Sequence, residues 1–335
     1  MKVCLYLESE GLMSKSGIGA ALKRQKTALE RAGVEYTTDP RGDYDVIHIN
    51  TILPRSLFYA KWAKDRGKKV ILHAHTLEED TRNSFTLSNT IAPLFKRYLQ
   101  YYYQQADHII CPTPYVKKLL ETRYGITKPI TPVSNGVDLN KFKFSQELRD
   151  KYRERYKLDG IVPFAVGHVF IRKGVKTFID TARVFPKNTF VWFGQVYSGA
   201  LVKSKELDEA MANRTKNVLF PGYVDDIFAA YCCGDIFFFP TLAETQGIVI
   251  LEAWAMERPV LIRDLPVFGD WTHDGKDCLR AKDDADFKEK LQMLMDDDRL
   301  RKKLVKEGLK TVQEHAIEKI GAKLKAVYEE VLNEG

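Results

Sequence analysis

Short apolar runs alternate with longer segments of helical length along the whole chain, and this alternation constrains the fold more than any single motif. Val3–Leu7, Val46–Ile49, Val70–His73, His108–Cys111 and Ile130–Val133 read as strands, with helical stretches such as Ala20–Gly33 and Arg55–Gly67 between them. The second half repeats the pattern with Pro163–Gly167, Thr189–Phe193, Asn217–Phe220, Ile236–Phe239 and Val260–Ile262. Alternating β and α over two halves implies an α/β fold of two doubly wound domains with parallel sheets. A length of 335 residues agrees, because a single core stops growing near ~250–300 residues. The boundary is expected near 140–160, where the stretch Asn140 to Gly160 is dense in charge and lacks strand alternation. The tail from Asp286 to Leu332 reads as helical throughout. Ligands in such folds bind at the carboxyl ends of the strands, and the cleft between two such domains is the default site.

Within this frame the stretch Glu244-Thr-Gln-Gly-Ile-Val-Ile-Leu-Glu252 carries the most chemistry. It follows the run Ile236–Phe239, closed by Pro240, and reads as strand, tight loop, buried helix. One acid lies in the loop and the other in the first turns of the helix. A helix N-terminus favours an electronegative ligand, and carboxylates accept hydrogen bonds from hydroxyls. Together they suit a nucleotide sugar.

Other candidates are weaker when taken singly. The loop Ser14-Lys-Ser-Gly17-Ile-Gly19 stands between the first strand and a helix, where glycine lets backbone approach phosphate or sugar. It is not a dinucleotide fingerprint, because position 22 is Leu. His73 and His75 flank Ala74 at a strand end, and alternation sends both to one face. His75, nearer the loop, is the functional candidate; a satisfied core histidine is the plain alternative. No convergent third ligand suggests metal. Arg172-Lys173-Gly174 lies at the mouth of the first strand of the second half and suits a diphosphate, or else presents two surface cations. Asn135-Gly136-Val137-Asp138 is a turn signal.

The five cysteines, at 4, 111, 232, 233 and 278, show no metal-ligand spacing and read as reduced thiols of a cytosolic protein. No apolar run reaches the ~18 residues needed to span a bilayer. The net charge of +7 is uneven: residues 1–150 carry 23 Lys and Arg against 16 Asp and Glu, and residues 151–335 carry 29 of each. That asymmetry suits a membrane surface, a nucleic acid or an acidic substrate, or an ordinary solvated basic surface.

The ordered set of these motifs resembles the family 4 retaining glycosyltransferases. Glu244 and Glu252 match the family's paired glutamates, and Ser134-Asn-Gly-Val-Asp138, Arg172-Lys173-Gly174 and the Gly17/Gly19 loop fall in the expected order. The resemblance covers essentially the whole chain. It implies the GT-B architecture, two Rossmann-like doubly wound domains facing across a cleft. Residues 1–150 would bind the acceptor, residues 151–310 the nucleotide sugar, and a last helix near 311–332 would cross back onto the first domain. It implies that Glu244 meets donor-sugar hydroxyls, and that Gln246, Gly247, Ile248 and Val249 present backbone to sugar and diphosphate. Glu252 would bind the ribose, while Lys173 and Arg172 hold the diphosphate. His75 would lie near the anomeric centre, with Gly17 and Gly19 bordering diphosphate or acceptor. The implied reaction is hexosyl transfer by front-face displacement, with no metal and no cofactor beyond the UDP-sugar donor. The chain departs from the family at His168, where an Arg is usual; Arg172 is the candidate to take over that charge.

The pattern is similar to small bacterial glycolipid synthases that glycosylate monoglucosyl-diacylglycerol. Residues 55–69 and 91–103 interleave aromatic and basic side chains, which suits an anionic membrane surface as well as plain helix packing. The leading expectation is an enzyme peripheral to the inner face of the cell membrane, moving an α-glucosyl or α-galactosyl unit to a lipid-linked glucose. The alternative is a polysaccharide or cell-wall glycosyltransferase with a polyprenyl-linked or soluble acceptor. A non-catalytic nucleotide-sugar binder conflicts with the presence of both carboxylates and the Arg-Lys pair. Nucleic acid as a partner has only net charge in its favour.

Overall fold

The computed structural model describes residues 1–13, 16–81, 88–196 and 205–334. Their contacts separate the chain into two units. The first holds Met1–Asp80, Thr90–Asp138 and the end of the chain from His315; the second holds Leu139–Glu314.

The first unit is built on a parallel sheet of six strands: β1 (Lys2–Tyr6), β2 (Glu35–Thr37), β3 (Val46–Ile49), β4 (Lys69–His73), β5 (His108–Cys111) and β6 (Ile130–Pro132), in the order β2-β1-β3-β4-β5-β6. Its central strands are buried on both faces, as a doubly wound sheet requires. Alternation divides their side chains between two cores. Val3, Leu5, Val46, Ile71 and Ile110 pack with the helices Gly17–Arg31 and Ile317–Asn333. Cys4, Tyr6, Ile47, Ile49, Val70 and Leu72 pack on the opposite side. The helices Gly17–Arg31 and Ile317–Asn333 approach closely, because a Cβ at Gly321 would lie 2.3 Å from the Ala28 carbonyl oxygen. The Asn135–Asp138 turn locks this pair: Gly136 O accepts from Arg24, Asp138 accepts two bonds from Arg31, and Val137 pairs with Ala316.

The second unit carries β7 (Pro163–Val166), β8 (Phe190–Phe193), β9 (Val218–Gly222), β10 (Ile236–Phe239), β11 (Val260–Arg263) and β12 (Leu279–Ala281), all parallel, in the order β12-β11-β10-β7-β8-β9. Ala165, Trp192, Phe238 and Leu261 face one core with Phe178 and Phe287, while Phe164 and Phe237 face the other against Tyr231.

Four expectations change. The strands β2 and β12 are not among the apolar runs, because each has only three residues and sits at a sheet edge. The charge-dense stretch at 140–160, read in the sequence only as lacking strand alternation, is partly helical. It forms the helix Gln146–Tyr156, capped by Ser145, and Arg149 and Arg153 bind both oxygens of Asp235 in the second unit. The helical tail is broken twice, giving Asp284–Asp296, Asp298–Gln313 and Ile317–Asn333. Asp297 makes the first break by leaving helical geometry and capping the next helix through Leu300 N. Finally, Gly17 and Gly19 are not loop residues but belong to the first turn of the helix Gly17–Arg31, which Ser16 caps by accepting from Gly19 N. Of their loop, Ser14 and Lys15 lie outside the described residues.

Candidate functional site

In an open parallel sheet, ligands bind where the direction of strand winding reverses, at the carboxyl ends. In the second unit that point lies between β7 and β10. The segments leaving these strands are 167–174 and 240–247, which contain every site residue expected from the second half except Ile248, Val249 and Glu252 on the helix that follows. Their backbones touch. Gly174 has φ +81°, and a Cβ there would lie 2.0 Å from Pro240 O, so only glycine permits the approach.

Hydrogen bonds join the two segments. Leu242 N donates to Arg172 O at 2.8 Å, and the Arg172 guanidinium donates to Ala243 O at 2.8 Å. Arg172 therefore binds one loop to the other, while His168 lies beside Phe170 with ring centroids 5.9 Å apart. Lys173 forms an ion pair with Glu244 and stands 5.3 Å from the Phe239 ring centroid. The two charged side chains are 18% and 9% exposed. Thr241 Oγ1 is 3.2 Å from the same Glu244 oxygen.

Gly247, at φ +81°, begins the helix Ile248–Ala255, and no side chain caps that end. Its first amides and the helix dipole offer positive potential to an anion. Glu252 lies in the second turn, 7% exposed, and accepts a hydrogen bond from Tyr231 OH. Tyr231 is held by Phe164 and Phe237, with ring centroids 5.7 and 5.9 Å away. Gln246 is 1% exposed and contributes to the loop interior. The second unit thus gathers Arg172, Lys173, Glu244, Gln246, Gly247, Ile248, Val249 and Glu252 around one strand-end site that offers a cation, two carboxylates and an open helix start.

In the first unit the winding reverses between β1 and β3. Gly17 is exposed there, with open space where a Cβ would be, and Gly19 is buried. His75 follows β4, and its Nε2 lies 2.9 Å from the acceptor Asn50 Oδ1. Burial lowers its pKa to about 3, so it is neutral at physiological pH. The rings of His73 and His75 stack with centroids 3.7 Å apart, as the shared face in the sequence requires.

Tyr231, Thr241, Asn50 and Gln25, whose Nε2 donates to Asn50 Oδ1 at 2.8 Å, were not legible as site residues. Tyr231 sits in a helix of apolar composition and Gln25 in an amphipathic one, and no local spacing marks either. Asn50, the residue after β3, could have been found by asking which side chains follow each strand. Among the described residues, no group of three or more His, Cys, Asp and Glu is arranged to hold a metal ion. All five cysteines are free and buried.

Residues 23–141 match the family described as Glycosyltransferase Family 4, and residues 161–297 match that described as Glycosyl transferases group 1. A processive diacylglycerol alpha-glucosyltransferase of Acholeplasma laidlawii is 39% identical over 338 residues, covering 99% of each chain. The chain belongs to glycosyltransferase family 4. This glycosyltransferase is also 27% identical to an alpha-galactosylglucosyldiacylglycerol synthase of Streptococcus pneumoniae, over 78% of its own length and 72% of the other's. Among solved structures, sucrose-phosphate synthase of Thermosynechococcus elongatus matches with a TM-score of 0.85 at 16% identity, covering 100% of each chain. HepE of Anabaena, in complex with UDP and glucose, matches with a TM-score of 0.79 at 17% identity, covering 98% of this chain and 100% of that one. These likenesses establish the GT-B fold. The family 4 glycosyltransferase is a hexosyltransferase of that fold.

Proposed function

We propose that this enzyme transfers an α-hexosyl unit, glucose or galactose, with retention, from a UDP-sugar to a lipid-linked glucose such as monoglucosyl-diacylglycerol, at the inner face of the cell membrane. The likeness to the Acholeplasma diacylglycerol alpha-glucosyltransferase over 99% of both chains carries this reading. The strand-end site of the second unit supports the donor. The diphosphate is met by Lys173 and the amides of Ile248 and Val249, the transferred sugar by Glu244, and the ribose by Glu252. Leaving-group charge then develops at a cation and a helix start, where preorganised electrostatics lower the barrier most. The acceptor hydroxyl attacks from the same face, and a phosphate oxygen takes its proton. His75 serves the anomeric centre, and Gly17 and Gly19 border the diphosphate or the acceptor. Because Lys173 and the helix start carry the countercharge, no metal is required in this mechanism.

The exposed side chains of the first unit support a membrane surface. Phe58, Leu94 and Tyr101 are 57%, 72% and 48% exposed, and Lys61 stands 5.3 Å from the Tyr101 ring centroid. Leu94, Arg97 and Tyr101 recur at helical spacing on Ser88–Tyr103, giving one face apolar and basic character. Among the described residues, no helix is long and apolar enough to cross a membrane. A second acceptor, diacylglycerol itself, is favoured by the description of the Acholeplasma relative as processive on diacylglycerol.

The test presents purified enzyme with UDP- and GDP-hexoses and vesicles of anionic lipid holding monoglucosyl-diacylglycerol or diacylglycerol, and reads products by mass. A dihexosyl lipid from a UDP-sugar, formed more slowly as salt rises and on the order of 100-fold more slowly by Glu244→Ala, is expected. Transfer only to a polyprenyl-linked or soluble acceptor, or full activity of Glu244→Ala, would overturn the reading.

A further inference from the structure

A third strand end meets the two loops of the second unit's site. Arg263 is the last residue of β11, the strand that pairs with β10. Its side chain is 12% exposed, and the guanidinium lies over the Phe287 ring, 5.0 Å from the centroid. Nε donates to Pro240 O at 3.4 Å. Nη2 donates to Thr177 Oγ1 at 3.1 Å and to Asp284 Oδ1 at 2.9 Å. Thr177 Oγ1 donates in turn to Asp284 Oδ1, 2.9 Å away. One side chain therefore joins four elements. They are the end of β11, the residue that closes β10, the first turn of the helix Val175–Ala182 that follows Lys173-Gly174, and the first residue of the helix Asp284–Asp296.

Pro240 is the point at which the two loops touch, since a Cβ at Gly174 would lie 2.0 Å from its carbonyl oxygen. It also stands four residues before Glu244. Proline has no N–H, so its carbonyl is the group by which backbone hydrogen bonding can fix the chain there. The bonds from Leu242 N to Arg172 O and from Arg172 to Ala243 O run between the loops and do not reach outside them. The bond from Arg263 does, tying Pro240 to a neighbouring strand and two helices. Arginine suits the place, because its planar fork presents donors along two edges at once, whereas lysine is a point charge. The Thr177–Asp284 bond does not depend on Arg263, so the helix behind Lys173 keeps that anchor without it. Pro240 O would lose its anchor.

We infer that Arg263 is a positioning residue for Glu244. It fixes Pro240, and with it the start of the loop that carries the carboxylate, against the helices Val175–Ala182 and Asp284–Asp296. Glu244 is thereby held beside Lys173, where it meets hydroxyls of the transferred sugar. Arg263 acts through the Pro240 backbone and not by touching the sugar. This inference deepens the proposed reaction and rests on it for the role of Glu244, but not for the fixing of the loop.

The test compares full-length Arg263→Met and Arg263→Lys with Glu244→Ala and with the double variant Arg263→Met/Glu244→Ala. It measures thermal midpoints, UDP affinity, and kcat/KM for UDP-glucose with monoglucosyl-diacylglycerol in anionic vesicles. Arg263→Met should lower kcat/KM for UDP-glucose about tenfold, as a small displacement of a substrate-positioning group does. It should leave UDP affinity unchanged, because UDP carries no transferred sugar for Glu244 to meet, and Lys173 and Glu252 keep their supports. Arg263→Lys should keep the thermal midpoint through its pair with Asp284 and lose the same activity. In the double variant, Arg263→Met should add nothing to the loss from Glu244→Ala. Full activity of Arg263→Met and Arg263→Lys, equal weakening of UDP and UDP-glucose, or additive losses in the cycle would overturn the inference. A crystal structure of Arg263→Lys reads the loop without reference to activity: displacement of 240–244 is expected, and an unmoved loop would overturn the inference. A displaced loop together with full activity of Glu244→Ala would instead remove Glu244 from the reaction while leaving the fixing of the loop standing.

Discussion

At the scale of single residues, the second unit resolves its charges by pairing them. Glu244 is nearly buried, and Lys173 compensates it in place of water. A carboxylate in that position costs several kcal/mol without a partner, so the same lysine that suits a diphosphate also offsets the burial of Glu244. Glu252 has a different support, the Tyr231 hydroxyl, which orients it at the second turn of its helix. One hydrogen bond to a charged group contributes about 1.5–3 kcal/mol. Tyr231→Phe should therefore weaken UDP-sugar binding roughly tenfold or more, with little loss of global stability because the ring packing with Phe164 and Phe237 is retained. Calorimetric titration with UDP checks this, and unchanged affinity would mean that Glu252 does not depend on Tyr231.

At the scale of elements, the two loops at the reversal of the second sheet behave as one body. Gly174 allows Pro240 to approach, and the bonds from Leu242 and the Arg172 guanidinium fix the register between them. Gly174→Ala adds a Cβ that must displace backbone rather than a flexible side chain, at a residue with φ +81°. It should lower stability by about 1–3 kcal/mol and reduce UDP affinity further by separating Lys173 from Glu244. Thermal unfolding and UDP titration of that variant measure both. The carboxylate pair and the Arg-Lys-Gly turn were legible because strand, loop and helix follow one another locally, so spacing alone places them. The meeting of 172–174 with 240–244 was not, since it depends on strand order across about 70 intervening residues. The edge strands β2 and β12 were missed because three-residue pairings carry no period. The helix Gln146–Tyr156 was missed because it has no buried residue, so only its cap and the Asp235 contacts mark it.

At the scale of the whole molecule, the first unit stores three neutral histidines, His48, His73 and His75. His48 keeps a pKa of about 3 when folded, against 6.5 for the ordinary group, and His73 shifts the same way. The unfolded chain therefore binds more protons below pH 6.5 than the folded one. Stability is full above that pH and falls as pH drops toward 3, by up to about 1.4 kcal/mol per pH unit for each histidine. Denaturant midpoints of the full chain between pH 7 and pH 5 should fall accordingly, and a flat profile would show that these rings protonate without unfolding. The charge excess of residues 1–150 and the exposed Phe58, Leu94 and Tyr101 belong to this unit as well. In the proposed reaction the basic, aromatic first unit takes the acceptor and the strand end of the second unit takes the donor. The most direct test of that account is the anomeric configuration of the product formed from UDP-glucose and monoglucosyl-diacylglycerol, read from the coupling constant of the new anomeric proton. The account predicts a single α-linked dihexosyl lipid; a β-linked product, or hydrolysis of UDP-glucose with no lipid product, would contradict it.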